Sequence, residues 1–312
     1  MKFLNTNDVL EAFIKKKKVI LLLLCSLGIT GFSYTLNYDN HLSKEIPTFS
    51  KVEKKSPEKI EEQEKETPKS SEESKVEQFD LSTLDKKEYS WYFAPNTPPE
   101  AEPYKEKYDL YYEGDSSKKE IYITFDCGYE NGITPKILDV LKENNVNAAF
   151  FITSDYLKTS SDLVKRMVDE GHVVGNHTNK HPSMAEKAAQ GREPAYKEIQ
   201  ELERKYEEAL GKPMEKFFRP PMGKFSEASL ALTKELGYKS IFWSNAYKDY
   251  DVNAQPAPEP SKALIKKRMK DGGILLLHAV SKTNSEILDD LIKEWKADGY
   301  EIKSLRDLPD YN

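Results

Sequence analysis

Two histidines four residues apart, His177 and His181, stand in the run Gly175-Asn-His-Thr-Asn-Lys-His-Pro182. On a helical turn, residues i and i+4 share a face, so both imidazoles can reach one cation. A bare His-x-x-x-His is more often a solvent-facing pair at a capped helix start, but Pro182 and the place at a strand end favour the metal. Catalytic zinc takes three protein ligands and keeps one position for water or substrate. The third donor is sought in Ile121-Tyr-Ile-Thr-Phe-Asp-Cys-Gly-Tyr-Glu-Asn-Gly132. There Asp126 is a carboxylate that can take a proton from a water beside the cation. The plainer reading of Asp126 is a helix cap. Its neighbour Cys127 is a metal ligand, a reactive thiol or a small buried residue.

Two further stretches carry chemistry. In Phe217-Phe-Arg219-Pro-Pro-Met-Gly223 an arginine precedes a stiff Pro-Pro turn. It can hold a carboxylate in a fixed orientation through paired hydrogen bonds. A surface ion pair is the ordinary alternative. In Ile274-Leu-Leu-Leu-His278 a histidine closes an apolar run. Such a histidine is usually structural. Paired with a carboxylate such as Asp249, it has a raised pKa and can protonate a leaving group. His172 reads as a core histidine.

These residues need a frame that collects them. From Tyr89 onward, short apolar runs alternate with helical ones. The strands are Ile121–Phe125, Ala148–Ile152, Val173–Val174, Phe217–Phe218, Ser240–Phe242, Ile274–Leu277 and Glu301–Lys303. The intervening helices are 135–143, 162–170, 195–210, 227–236, 262–270 and 285–296. The alternation predicts a parallel α/β sheet. It suits a closed or nearly closed barrel, with an open doubly wound sheet as the alternative. Asp126, His177, His181, Arg219, Asp249 and His278 all fall after strands, where barrel enzymes carry their chemistry.

The chain ahead of this domain is of another kind. Residues 1–18 are basic and end in four lysines. An apolar stretch at 19–38 follows, read as a transmembrane anchor or signal peptide with the N-terminus inside. No Ala-x-Ala cleavage site is visible, which favours the anchor and places the rest outside the cytoplasm. Residues 39–80 form a linker rich in Lys, Glu, Ser and Pro. Between Lys51 and Gln78 it holds seven lysines and nine glutamates and almost nothing apolar. Such a stretch buries too little surface to offset its ordering entropy. The net charge of the whole chain is -6, which excludes a basic nucleic-acid binder. Its two cysteines, Cys25 and Cys127, lie too far apart in character to pair.

With these motifs on the page, the chain resembles the polysaccharide deacetylase family (carbohydrate esterase family 4, the NodB-like domain), and within it the PdaA-type delta-lactam-biosynthetic branch. The likeness runs over 89–309. It rests on Thr124-Phe-Asp-Cys-Gly-Tyr-Glu-Asn-Gly132, Glu170-Gly-His-Val-Val-Gly-Asn-His-Thr178, Arg219-Pro-Pro-Met-Gly223, Phe242-Trp-Ser244 and Leu275-Leu-Leu-His-Ala-Val-Ser281. The resemblance implies a distorted (β/α)7 barrel and metal-dependent hydrolysis of an acetamide.

By the same resemblance, Asp126 is the base, His177 and His181 hold a divalent metal, Arg219 orients the base, and Asp249 partners the acid His278. The N–H near Met222 is an oxyanion donor and Leu276 receives the acetyl methyl. Tyr129 and Tyr250 face the sugar. Three departures from the pattern stand out. Cys127 occupies the place of a metal-binding aspartate, Ala246 replaces another aspartate, and Tyr250 replaces a tryptophan. His-x-x-x-His with a thiolate suits zinc, while a neutral Cys127 leaves the metal to the histidines and water. The implied substrate is N-acetylmuramic acid in peptidoglycan strands, deacetylated ahead of lactam closure in spore cortex and used at germination. The alternatives are a deacetylase of N-acetylglucosamine or chitin-type oligomers, and a non-catalytic glycan-binding protein with a degraded metal site. The chain alone leaves open whether an accessory protein takes part.

Overall fold

The computed structural model describes residues 78–92 and 98–310. The expected basic N-terminus, the membrane segment at 19–38 and all but the end of the 39–80 linker lie outside the described residues. Within them, no helix is long and apolar enough to cross a membrane.

In chain order the elements are β1 (Tyr89–Ser90), β2 (Leu110–Tyr111), β3 (Glu120–Cys127), α1 (Thr134–Glu143), β4 (Ala149–Ile152), α2 (Ser154–Thr159), α3 (Ser161–Asp169) and β5 (Val173–Asn176). Then come α4 (Met184–Gln190), α5 (Arg192–Leu210), β6 (Phe217–Phe218), β7 (Lys224–Phe225), α6 (Glu227–Glu235), β8 (Lys239–Ile241) and β9 (Asn245–Ala246). The series ends with α7 (Pro258–Arg268), β10 (Ile274–His278), α8 (Lys282–Ala297) and β11 (Glu301–Lys303). Each strand and helix read from the sequence coincides with one of these. Four small strands, β1, β2, β7 and β9, and the short helices α2 and α4 are additions.

The main sheet is parallel, in the order β2-β8-β6-β5-β4-β3-β10-β9. It departs from the expected seven-stranded barrel in two ways. The seventh strand, β11, is not a stave of the ring. It pairs with the entry half of β3, from Glu301 opposite Glu120 to Lys303 opposite Tyr122. Further along β3, β4 takes over from Thr124 to Cys127. The second departure is a broken strand. Only Phe242, Trp243 and Ser244 separate β8 from β9, so its first half flanks β6 and its second half flanks β10. The break has a local cause. The carbonyls of Ile241 and Phe242 accept from the Arg219 guanidinium at 3.1 and 3.2 Å. The fold is therefore an α/β half-barrel of parallel strands.

Strand alternation sorts β3 into two faces. Ile121, Ile123, Phe125 and Cys127 pack outward with Ile137, Leu138 and Leu141 of α1 and Leu288 and Leu291 of α8. Each such fully buried aliphatic side chain contributes about 1.5–3 kcal/mol of transfer free energy. The intervening Tyr122, Thr124 and Asp126 point to the interior, where Tyr122 meets Tyr111, Phe151, Phe217 and Ile274. Gly175 of β5 makes room there, since a Cβ at that position would sit 2.6 Å from the Phe151 ring.

Candidate active site

The C-terminal ends of the parallel strands surround a cleft of about 700 Å³ whose walls include Asp126, His177, His181, Met222, Leu276 and His278. Tyr129 and Tyr250 stand at its rim. Arg219 and Asp249 are fully buried behind it. Five strand ends, those of β3, β5, β6, β9 and β10, thus deliver the residues that the motifs singled out.

Arg219, just past β6, reaches across the interior. Its Nη1 donates to Asp126 Oδ1 at 3.0 Å and to Thr124 Oγ1 at 2.8 Å. Its guanidinium lies 4.3 Å over the Phe151 ring. With the carbonyls of Ile241 and Phe242, four of its five donor directions are engaged, which makes this a rigid clamp and not a surface ion pair. Burial pushes the Asp126 carboxyl up, but His177, Arg219 and His278 outweigh it and hold Asp126 below the usual carboxylate range. The Asp126 carboxylate is thereby kept ionised.

The two histidines meet by a route other than a helical turn. Residues 177–182 are not helical. Thr178 and His181 adopt left-handed backbone, with φ of 72° and 58°. Such conformations cost roughly 1–3 kcal/mol each unless the surroundings hold them. Here Asn176 Oδ1 accepts from the Thr178 N–H at 2.9 Å, and Thr178 Oγ1 accepts from the His181 N–H at 2.8 Å. Glu198 of α5 takes the Lys180 N–H at 2.9 Å.

His177 Nδ1 lies 2.8 Å from the carbonyl oxygen of Arg219. That oxygen can only accept, so Nδ1 carries the proton and Nε2 presents its lone pair. His177 Nε2 is 3.2 Å from His181 Nε2 and 3.5 Å from Asp126 Oδ2. Burial lowers the pKa of His177 to about 4 and lowers that of His181 as well. The two imidazole nitrogens stand close enough for both to reach one divalent cation, with the Asp126 carboxylate beside them. A carbonyl holding the far ring nitrogen is the usual support of a metal-binding histidine. Among the described residues, no three His, Cys, Asp or Glu side chains close into a complete ligand set. A cation held by His177 and His181 would leave its other positions to water and substrate.

Cys127 is not brought to this point. It follows Asp126 on the strand and so faces outward, fully buried among the core residues behind β3. Burial, with Asp126 and Glu130 nearby, pushes its thiol well above the usual range. A neutral, outward-facing thiol does not ligate a metal on the other face of the sheet. Of the two alternatives the motif left open for Cys127, its packing favours the neutral thiol, with the metal left to His177 and His181.

The opposite wall carries His278. His278 Nδ1 pairs with Asp249 Oδ1 at 2.7 Å, and the His278 N–H donates to Asp249 Oδ2 at 2.8 Å. Burial pulls the His278 pKa down, but Asp249, aided by Asp126, raises it above 6.5. Tyr250 meets the His278 ring edge-on at 5.6 Å. Met222 sits in a tight turn with φ 59° and ψ 10° and is half exposed in the cleft.

Two groups escaped the sequence reading. Asn284, in the first turn of α8, donates to Asp249 Oδ2 at 2.6 Å and to the His278 carbonyl at 3.1 Å. The Tyr247 hydroxyl in turn bonds Asn284 Oδ1. The only signal was the proximity of Asn284 to the cap residue Ser281, whose Oγ accepts its N–H. The second is the segment ending in Trp91 and Tyr92, which lines the cleft although it precedes the first barrel strand.

A family model described as Polysaccharide deacetylase matches residues 113–241. The peptidoglycan-N-acetylmuramic acid deacetylase PdaA of Bacillus subtilis is 44% identical over 203 residues, which is 65% of this chain and 76% of that protein. The chain belongs to the polysaccharide deacetylase family. An uncharacterized 30.6 kDa protein of Geobacillus stearothermophilus is 50% identical over 202 residues, covering 65% of this chain and 75% of that one. The solved structure of Bacillus subtilis PdaA, a family 4 carbohydrate esterase, superposes with a TM-score of 0.68 at 39% identity, over 72% of this chain and 97% of that one. Polysaccharide deacetylases are hydrolases of amide C–N bonds that depend on a metal, and this chain is such a hydrolase.

Proposed function

We propose that this polysaccharide deacetylase removes the acetyl group from N-acetylmuramic acid residues of peptidoglycan, the step that permits muramic-lactam closure in spore cortex. The observation that carries the reading is the pair of buried dyads facing one cleft. Arg219 with Asp126 keeps a base ionised, and Asp249 with His278 keeps an acid protonated. The likeness to PdaA supports the choice of sugar.

Asp126 accepts the proton of the attacking water. Arg219 fixes its carboxylate, so one oxygen stays directed at the cleft. His177 and His181 would hold a divalent cation, zinc in this reading, which when bound would supply polarisation of the acetamide carbonyl and a lowered pKa for a water. The Met222 N–H donates to the carbonyl oxygen as charge develops there. One such donor is worth about 3 kcal/mol of barrier. Leu276 receives the methyl, and Tyr129 and Tyr250 flank the sugar. His278 then gives its proton to the departing amine, and Asp249 stabilises the imidazolium until it does.

In this reading the domain works outside the cytoplasm, tethered through residues 19–38 or released to the envelope. The test is acetate release from purified peptidoglycan, with and without a chelator, followed by mass spectrometry of the digested strands. The expected result is chelator-sensitive release with the free amine on muramic acid. An amine on glucosamine instead would replace the substrate. Turnover that survives full metal removal would remove the cation from the mechanism.

A further inference from the structure

Large apolar side chains at the surface of the described residues are not scattered. Five are strongly exposed: Tyr92 at 70%, Met222 at 51%, Tyr129 at 50%, Tyr250 at 46% and Val252 at 40%. The first four line the catalytic cleft. A rim of exposed apolar groups around a polar centre marks a ligand surface. Tyr129 and Tyr250 come from loops within the barrel, after β3 and β9. Tyr92 comes from outside it, after β1, and no motif of the domain includes it.

The segment that carries Tyr92 is pinned to the catalytic loops. β1 pairs antiparallel with β7, Tyr89 opposite Phe225. The Trp91 N–H donates to the Gly223 carbonyl at 2.8 Å, next to Met222. The Trp91 indole donates to the Trp243 carbonyl at 2.9 Å, and the Trp243 indole donates back to the Tyr92 carbonyl at 3.1 Å. The Trp91 ring stacks on Phe242 at 4.5 Å. Two tryptophans thus exchange hydrogen bonds across the junction, and the backbone on which Tyr92 stands is fixed. Folding has placed a large ring in solvent, at the cleft, on a rigid mount.

We propose that Tyr92 is a sugar-stacking residue that forms a subsite for a neighbouring residue of the glycan strand, beyond the sugar whose amide is cleaved. A pyranose ring presents a face of axial C–H groups, and the flat face of a phenol ring is complementary to it. A rigid aromatic loses little conformational entropy on binding, and a contact of this kind is worth of order 1 kcal/mol. The proposal rests on the reading of the cleft as a polysaccharide deacetylase site. It makes Tyr92 a determinant of strand length, not of the chemical step.

The experiment compares the wild type, Tyr92→Ala and Tyr92→Phe in calorimetric titrations. The probes are a peptidoglycan disaccharide and longer glycan oligomers of defined length. Tyr92→Ala is expected to weaken binding of the longer strands roughly three- to tenfold and to leave the disaccharide unchanged. Tyr92→Phe should bind like the wild type, because stacking needs the ring and not the hydroxyl. Equal weakening for both lengths, no weakening at all, or a Phe variant that behaves like Ala would each overturn the subsite. Acetate release by the wild type is measured in parallel. Length-dependent binding through Tyr92 without any acetate release would sink the deacetylase reading and leave the subsite standing.

Discussion

His278 and Asp126 are register partners on the adjacent parallel strands β10 and β3. The proposed acid and base therefore stand on one rung of one ladder. Strands in a sheet lie about 4.8 Å apart, so backbone hydrogen bonds set the spacing of the two groups. Loop motion cannot separate them. What remains adjustable is the protonation of each, and that is where the buried partners act.

Asp126→Asn should remove the base and unbalance Arg219 together. General-base loss costs roughly 10²–10⁴ in rate. Breaking a buried ion pair by neutralising one member costs about 3–5 kcal/mol of stability. The expected variant is inactive toward peptidoglycan and melts well below the wild type. Rates within a factor of a few of wild type would remove Asp126 from its role.

The pH profile should report the His278–Asp249 pair. In the proposed role His278 acts as an acid, so activity would require its protonated form. Its folded pKa lies above 6.5 because Asp249 overcomes burial. Activity is therefore present below that raised pKa and lost as pH rises through it. Asp249→Asn removes the charge that raises it, and the alkaline limb of kcat/KM should move toward acid, with a lower plateau. An unmoved limb would show that another group titrates there.

Cys127→Ala should leave bound metal and acetate release close to wild type, as read by elemental analysis and turnover. The cost should fall on stability, about 1–2 kcal/mol for a small buried side chain. A large loss of metal with intact folding would overturn the outward placement of the thiol.

His172 should make the fold acid-sensitive without touching catalysis. It is buried at the start of β5, where its Nδ1 accepts from the Ala148 N–H at 3.1 Å. Burial lowers its pKa from 6.5 to about 4. The unfolded chain thus binds this proton first as pH falls. The stability contribution is complete above 6.5 and is lost as pH drops from there toward 4. Denaturation midpoints measured across that window should fall more steeply for wild type than for His172→Gln, with activity at neutral pH unchanged.

Much of this was legible in the sequence for physical reasons. β-branched and aromatic runs such as Ile121–Phe125 and Ile274–Leu277 have few options but buried parallel strands. A polar residue at the end of such a run must face the strand-end cleft. The parts that were not legible depend on neighbours distant in sequence. The break between β8 and β9 exists because Arg219 takes the carbonyls of Ile241 and Phe242. The left-handed turn that joins His177 to His181 depends on Thr178 Oγ1 and Glu198. The place of β11 beside the entry half of β3 depends on where β4 begins to pair. Cys127 was not legible either, because the side chain at a strand's last residue is placed by its packing against the core behind β3 and not by the motif.

Arg219 also bears on how such a chain can change. Its charge is wholly enclosed, and the carboxylate that balances it is the proposed base. Losing that carboxylate strands a cation in the interior. Catalytic decay here is not silent, since a lineage that discards the chemistry must repack the barrel or replace the arginine as well. Arg219 thus ties the proposed chemistry to the requirements of folding.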